Sequence, residues 1–257
     1  MALSIWEALA VFAAGVGAGT INTIVGSGTL ITFPVLLATG LSPLTANVSN
    51  TLGLVPGSIS GAIGYRKELS GQRHRVLRLG AAALIGGLTG AILLLALPSK
   101  AFDAVVPALV GLALLLVLFQ PRIAAALRRR REVTGTETNP DGGVLLLVGL
   151  FLASIYGGYF GAAQGVLYLS LMGLLLHESL QRVNAVKNIL AAVVNGVAAL
   201  FFLFVADFDW TSVLLIAVGS TIGGQLGAKL GRRLKPTVLR GVIIAVGVVA
   251  IVQLVLR

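Results

Sequence analysis

The chain contains no cysteine. Disulfides, thiolate nucleophiles and cysteine metal sites are therefore excluded, and cysteine usage is silent on redox compartment. Histidine is almost as scarce, with His74 in a basic loop and His177 at the end of a short apolar segment, so no buried His pair exists for a metal and no Ser-His arrangement is in view. Only 11% of residues are charged. Glu7, Asp103 and Glu178 fall near the edges of apolar stretches, which leaves no paired intramembrane carboxylates for acid–base work or for a proton relay. Among function classes an enzyme ranks last, and no metal or cofactor is called for.

What the chain does have is apolar sequence, 57% of its residues. About 20 apolar residues of helix cross a hydrocarbon core. Eight stretches reach that scale, at about 4 to 25, 43 to 65, 76 to 97, 101 to 120, 142 to 162, 180 to 205, 211 to 231 and 236 to 256. Two further segments, Thr29 to Thr39 and Val166 to Leu176, are apolar but too short to span comfortably and read as half-helices. The first stretch lacks a basic leader and a cleavage site, so it reads as a retained span. The formal charge of +10 lies in short clusters beside apolar spans, which points to membrane topology and not to nucleic acid.

Displaced by 137 positions, the sequence lies on itself without a gap: Asn47 falls on Asn184, Gly28 on Gly165, and Gly86, Gly87 and Gly90 on Gly223, Gly224 and Gly227. Matching loops differ in charge, since Arg66, Lys67, Arg73, Arg75 and Arg78 stand where the second half has only Asp207 and Asp209. Basic loops mark the cytoplasmic side, so the expected fold is an all-α integral membrane protein of two inverted-topology repeats. The repeats are placed at 1–120 and 142–257, with eight long transmembrane helices and two half-helices at helix breaks. A linker at 121–141 carries Arg122 and Arg128 to Arg131 as a cytoplasmic anchor. Glycines at every fourth position, such as Gly53, Gly57 and Gly61, read as helix-packing stripes within the chain.

Polar residues inside spans are costly and mark function. One group lies at the breaks: Asn22, Ser27, Gly28 and Thr29 in the first half, Tyr159, Gln164 and Gly165 in the second. A broken helix presents unsatisfied backbone N–H groups at the start of the next segment, and with the helix dipole these hold an anion. The other group opens the following span: Asn47, Ser49, Asn50 and Thr51 against Asn184, Lys187 and Asn188. Asn, Ser and Thr donate to substrate oxygens, and Lys187 adds one positive charge. Alternatively, these side chains are interhelical glue and Lys187 snorkels to the cytoplasmic surface. Pro56 is placed to bend the 43 to 65 span.

The stretch GAGTINTIVGSGTLITFPVLLATGLSPLTANVSNTLG, from Gly17 to Gly53, and its weaker echo GGYFGAAQGVLYLSLMGLLLHESLQRVNAVKNIL, from Gly157 to Leu190, resemble the paired signatures of the sulfite exporter TauE/SafE family. The resemblance covers essentially the whole chain. It implies a multi-pass protein of the cytoplasmic (inner) membrane that moves small sulfur-containing anions, sulfite or organosulfonates, usually outward. In the family the first signature often holds three or four consecutive glycines; here it reads Val25-Gly26-Ser27-Gly28, so Ser27 places a hydroxyl at the pocket. The expected partners are a small anion and the lipid bilayer, with no nucleic acid. Alternating access is the leading mechanism; an anion channel and a non-transporting membrane scaffold are the alternatives.

Overall fold

The computed structural model describes residues 3–134 and 141–231, and within them every regular element is helical. Sequence punctuation accounts for the helix starts. Ser4 and Glu7 form a reciprocal capping box at the start of α1, Ile5–Ile24. The short α2, Thr29–Ala38, follows a break, and α3, Pro43–Gly64, starts behind Ser42, whose hydroxyl accepts the Thr45 N–H, with proline at its first position. Next come α4, Arg73–Ala96, and α5, Ser99–Thr134. The second series is α6, Gly143–Tyr159, the short α7, Gln164–Leu175, then α8, Leu180–Val205, capped by Ser179, and α9, Trp210–Leu230, capped by Asp209.

Five of these helices are long and apolar enough to cross a membrane: α1, α4, the Ser99–Phe119 part of α5, α8 and α9. This is fewer than the eight stretches read from sequence, for identifiable reasons. α6 has 17 residues, α3 is diluted by Asn47, Ser49, Asn50, Ser58 and Ser60, and the stretch at 236 to 256 lies outside the described residues. α5 continues through Pro121 and the arginine run as far as Thr134, so the segment expected as a linker is helical over its first part. α3 likewise remains one helix through Pro56.

The helices pack in a crossed pattern. α1 and α3 lie on α9, while α6 and α8 lie on α4, and α3 meets α8 between the two sets. Small residues make these approaches possible: a Cβ on Gly86 would meet the Phe151 carbonyl of α6, and one on Gly223, 137 positions on, would meet the Val16 carbonyl of α1. Such close backbone contact supplies van der Waals packing where the hydrophobic effect gives little, since lipid tails are as apolar as the helix faces.

Three loops gather at one end. Arg75 Nη1 stands 2.8 Å from Glu178 Oε1, Arg182 Nη1 donates to the Ser70 carbonyl at 3.0 Å, and His74 Nδ1 lies 3.2 Å from Asp141. Glu178 also meets Arg182 Nε at 2.7 Å. At the other end the Asp209 N–H donates to Ser49 Oγ, in the first two turns of α3. The strongly basic α3–α4 loop and the acidic α8–α9 loop thus occupy opposite ends of the bundle.

Candidate functional site

Both short helices begin at a backbone reversal. Gly26 has φ +85°, and Ala163, 137 positions later, has φ 58°, a left-handed conformation that costs a residue bearing a Cβ. The two reversals touch. The Gly165 N–H donates to the Gly26 carbonyl at 2.9 Å, and a Cβ on either glycine would overlap the Cα of the other. This corrects the expectation that both breaks offer free N–H groups there, because the Gly165 amide is already engaged. Gly28 is held for packing as well: a Cβ there would meet the Ala18 carbonyl.

The first break keeps unused donors. The amides of Ser27 and Gly28 donate to no backbone carbonyl, and the Ser27 hydroxyl, on a residue 1% exposed, has no hydrogen-bond partner among the described residues. A buried hydroxyl without a partner carries a desolvation cost, which an incoming acceptor would relieve. The N-terminus of α2 therefore presents backbone dipoles and an unspent hydroxyl at one place.

α8 supplies the charge. Lys187 is fully buried and does not snorkel; Nζ donates to the Asn22 carbonyl at 2.8 Å and the Thr23 carbonyl at 3.0 Å. Asn184 and Asn188 each donate from Nδ2 to that same Thr23 carbonyl at 3.2 Å. The cation sits on the last carbonyls of α1, the negative end of that helix, which favours positive charge. An ammonium has three donors, so the third is left over, and no carboxylate pairs with Lys187 among the described residues.

On α3 the matching residues are neutral. Asn47 donates to the Tyr159 carbonyl, the last of α6, at 3.0 Å, as Asn184 does near the end of α1. Asn50, in the place of Lys187, donates to Thr29 Oγ1 at 3.3 Å and accepts from the Thr32 hydroxyl, so it ties α3 to the start of α2. The oxygens of Asn47 and Asn184 remain buried without a partner among the described residues.

Asn22, Ser27, Gly28, Thr29, Asn47, Asn50, Gly165, Asn184, Lys187 and Asn188 thus belong to the helix junctions. Four other residues singled out from sequence are committed elsewhere. Ser49 accepts the Asp209 N–H, Thr51 donates to the Asn47 carbonyl of its own helix, and Gln164 donates to the Tyr168 hydroxyl at 2.5 Å. Tyr159 contributes its carbonyl, while its ring packs edge-on to Phe102. Sequence reasoning missed Thr23, which acts through a carbonyl, and Thr32. It also missed Ser58, whose spacing of 3 to 4 residues along 47, 50 or 51, 54 and 58 was the available signal.

Comparison with known proteins places this architecture. The match to the family described as sulfite exporter TauE/SafE runs over residues 11–254. The chain belongs to that family. Among its relatives, the probable membrane transporter protein YfcA of Escherichia coli (strain K12) is 28% identical over 233 residues, covering 90% of this chain and 83% of the relative. A probable membrane transporter protein of Haemophilus influenzae is 25% identical, covering 91% and 88%. A third, probable membrane transporter protein ORF9 of a Sinorhizobium species, is 25% identical, covering 95% and 90%. No solved structure matches the chain. This TauE/SafE protein is a multi-pass membrane transporter, and its buried polar junctions are to be understood as parts of one.

Proposed function

We propose that the protein is a secondary transporter that exports small sulfur-containing anions, sulfite or organosulfonates, across the cytoplasmic membrane by alternating access. The observation that carries this reading is Lys187: a buried cation on the last carbonyls of α1, with one donor to spare and no carboxylate partner among the described residues, while the break that follows α1 holds the unspent hydroxyl of Ser27. A desolvated lone charge is expensive, and an oxyanion lessens that cost while using the idle donors. Two inverted repeats, 1–120 and 142–257 around the basic segment 121–141, give such a site two mirrored routes of access. Support for the repeats comes from the 137-residue offset, which carries α2, α3 and α4 onto α7, α8 and α9 with starts that differ by no more than two residues. The basic end, with Arg66 to Arg78, is assigned to the cytoplasm.

The test is uptake of radiolabelled sulfite and methanesulfonate into proteoliposomes, with and without a pH gradient. Wild type is expected to carry both, with counter-transport against unlabelled anion. Ser27→Ala should lower affinity about tenfold while leaving thermal stability unchanged or raised, since no internal hydrogen bond is lost. Flux without counter-transport would favour a channel, and no flux of either anion would remove the reading.

A further inference from the structure

Lys187 donates to the carbonyl of Asn22, and the Asn22 side chain leads onward to a second polar group. Asn22 Nδ2 lies 3.5 Å from Ser58 Oγ, and Asn195 Nδ2 lies 3.5 Å from the same oxygen. Ser58 and Asn195 are 137 positions apart, so the two equivalent positions of the duplicated sequence meet each other. The cluster draws on α1, α3 and α8, and none of its members carries a formal charge.

Three features separate this cluster from ordinary interhelical glue. Its contacts are at the long limit of a hydrogen bond, where the interaction is weak. Its donors are underused: Ser58 accepts twice and keeps its own O–H, while each amide keeps a second N–H. Finally, Asn22 and Asn195 are part-exposed although they lie on inward helix faces. Asn22 follows the buried Val11, Gly15 and Ala18 on α1, and Asn195 lies between the buried Ala191, Ala198 and Phe202 on α8. Their accessible surface therefore opens between helices and not toward lipid. Polar side chains in that setting line a path for a polar solute.

We infer that Asn22, Ser58 and Asn195 form a neutral second station for the transported oxyanion, two helical turns along α8 from Lys187. This rests on the transporter reading above. Eight residues of helix separate Lys187 from Asn195 by about 12 Å along α8, and Asn22 bridges the two, its carbonyl on Lys187 and its amide toward Ser58. A site of N–H and O–H donors without charge holds an oxyanion more weakly than the ammonium does, and a weak second site lets the anion leave the first without being trapped.

The test uses radiolabelled sulfite, with equilibrium binding and proteoliposome flux measured on monodisperse protein. Ser58→Ala and Asn195→Leu are expected to keep sulfite affinity within about threefold of wild type, because the Lys187 group is intact, while flux falls at least tenfold. Asn195→Asp, which replaces donors by a negative charge at nearly the same volume, should abolish flux. The exchange Ser58→Asn with Asn195→Ser retains the same pair of groups and should restore flux to at least a third of wild type, an outcome that a purely local packing defect would not give. Flux within twofold of wild type in Asn195→Asp overturns the second station while the transporter reading stands. Wild type that neither binds nor carries sulfite or methanesulfonate overturns both.

Discussion

Asn50 and Lys187 occupy the same place in the two halves of the sequence, yet they reach in different directions. Asn50 stays within its half and ties α3 to the start of α2 through Thr29 and Thr32. Lys187 crosses to the other half and settles on the last carbonyls of α1. One junction is thereby neutral, with Asn50 hydrogen-bonded inside its own half, whereas the other carries a charge that keeps a donor. At positions 137 residues apart, the difference between Asn50 and Lys187 decides which junction carries charge.

Moving that charge tests the comparison most severely. Lys187→Met is expected to weaken sulfite binding by on the order of 3 kcal/mol, roughly a hundredfold, because a buried ionic partner is removed without replacement. Asn50→Lys added to Lys187→Asn should recover affinity to within about fivefold of wild type if the junctions are equivalent, since Asn47 already marks the Tyr159 carbonyl as the matching acceptor. Isothermal titration in detergent reads both. Affinity in Lys187→Met equal to wild type would make Lys187 a cap for α1 and nothing more.

The same pair shows where sequence reading succeeds and where it stops. The apolar length of the 43 to 65 and 180 to 205 stretches and the low polarity of the two short segments are local, and each places the start of its helix within about two residues. The clusters around Asn47 and Asn184 were equally legible, because polar residues in apolar spans announce themselves. Partners were not. Lys187 bonds to carbonyls 164 and 165 positions away, and backbone acceptors have no signature in sequence. Gly165 misled for a related reason: a free amide was expected where a neighbouring carbonyl had already taken it. The segment 121–141 read as a linker from its arginines and its polar, aperiodic end, and α5 carries the arginine run to Thr134 because arginine is a good helix former.

The contact between the breaks offers a second probe, of smaller effect. A methyl at Gly165 must displace the backbone of Gly26, so Gly165→Ala should cost about 2 kcal/mol of stability. Gly173, on the same short helix, has nothing within 4 Å of an added Cβ, so Gly173→Ala should be neutral or slightly stabilising through helix propensity. Thermal unfolding in one detergent compares the two directly. Equal melting temperatures would mean that the breaks separate easily, and that their close approach does not hold the halves together.

The smallest effect is expected at the basic end, where the halves are joined by charge instead of backbone contact. Burial alone would push the Glu178 carboxyl up, but hydrogen bonds and attraction from Arg182 and Arg75 outweigh it and hold the group below its ordinary range. Asp141, just before α6, also faces Arg75 and is met in turn by His74 of α4. A carboxyl whose folded pKa is depressed contributes stability that is complete above its unfolded value, near 4.3, and that fades as pH falls through the lower folded value. Glu178→Gln removes the charge at every pH. The stability difference between wild type and Glu178→Gln should therefore be steady, on the order of 1 kcal/mol, from about pH 5 to 8, and should shrink below about pH 4 as wild type comes to resemble the variant. Thermal melts across that range measure it. A difference that persists undiminished below about pH 4 would show that the charge of Glu178 does not join the halves, and leave Glu178 as a cap for Arg182 alone.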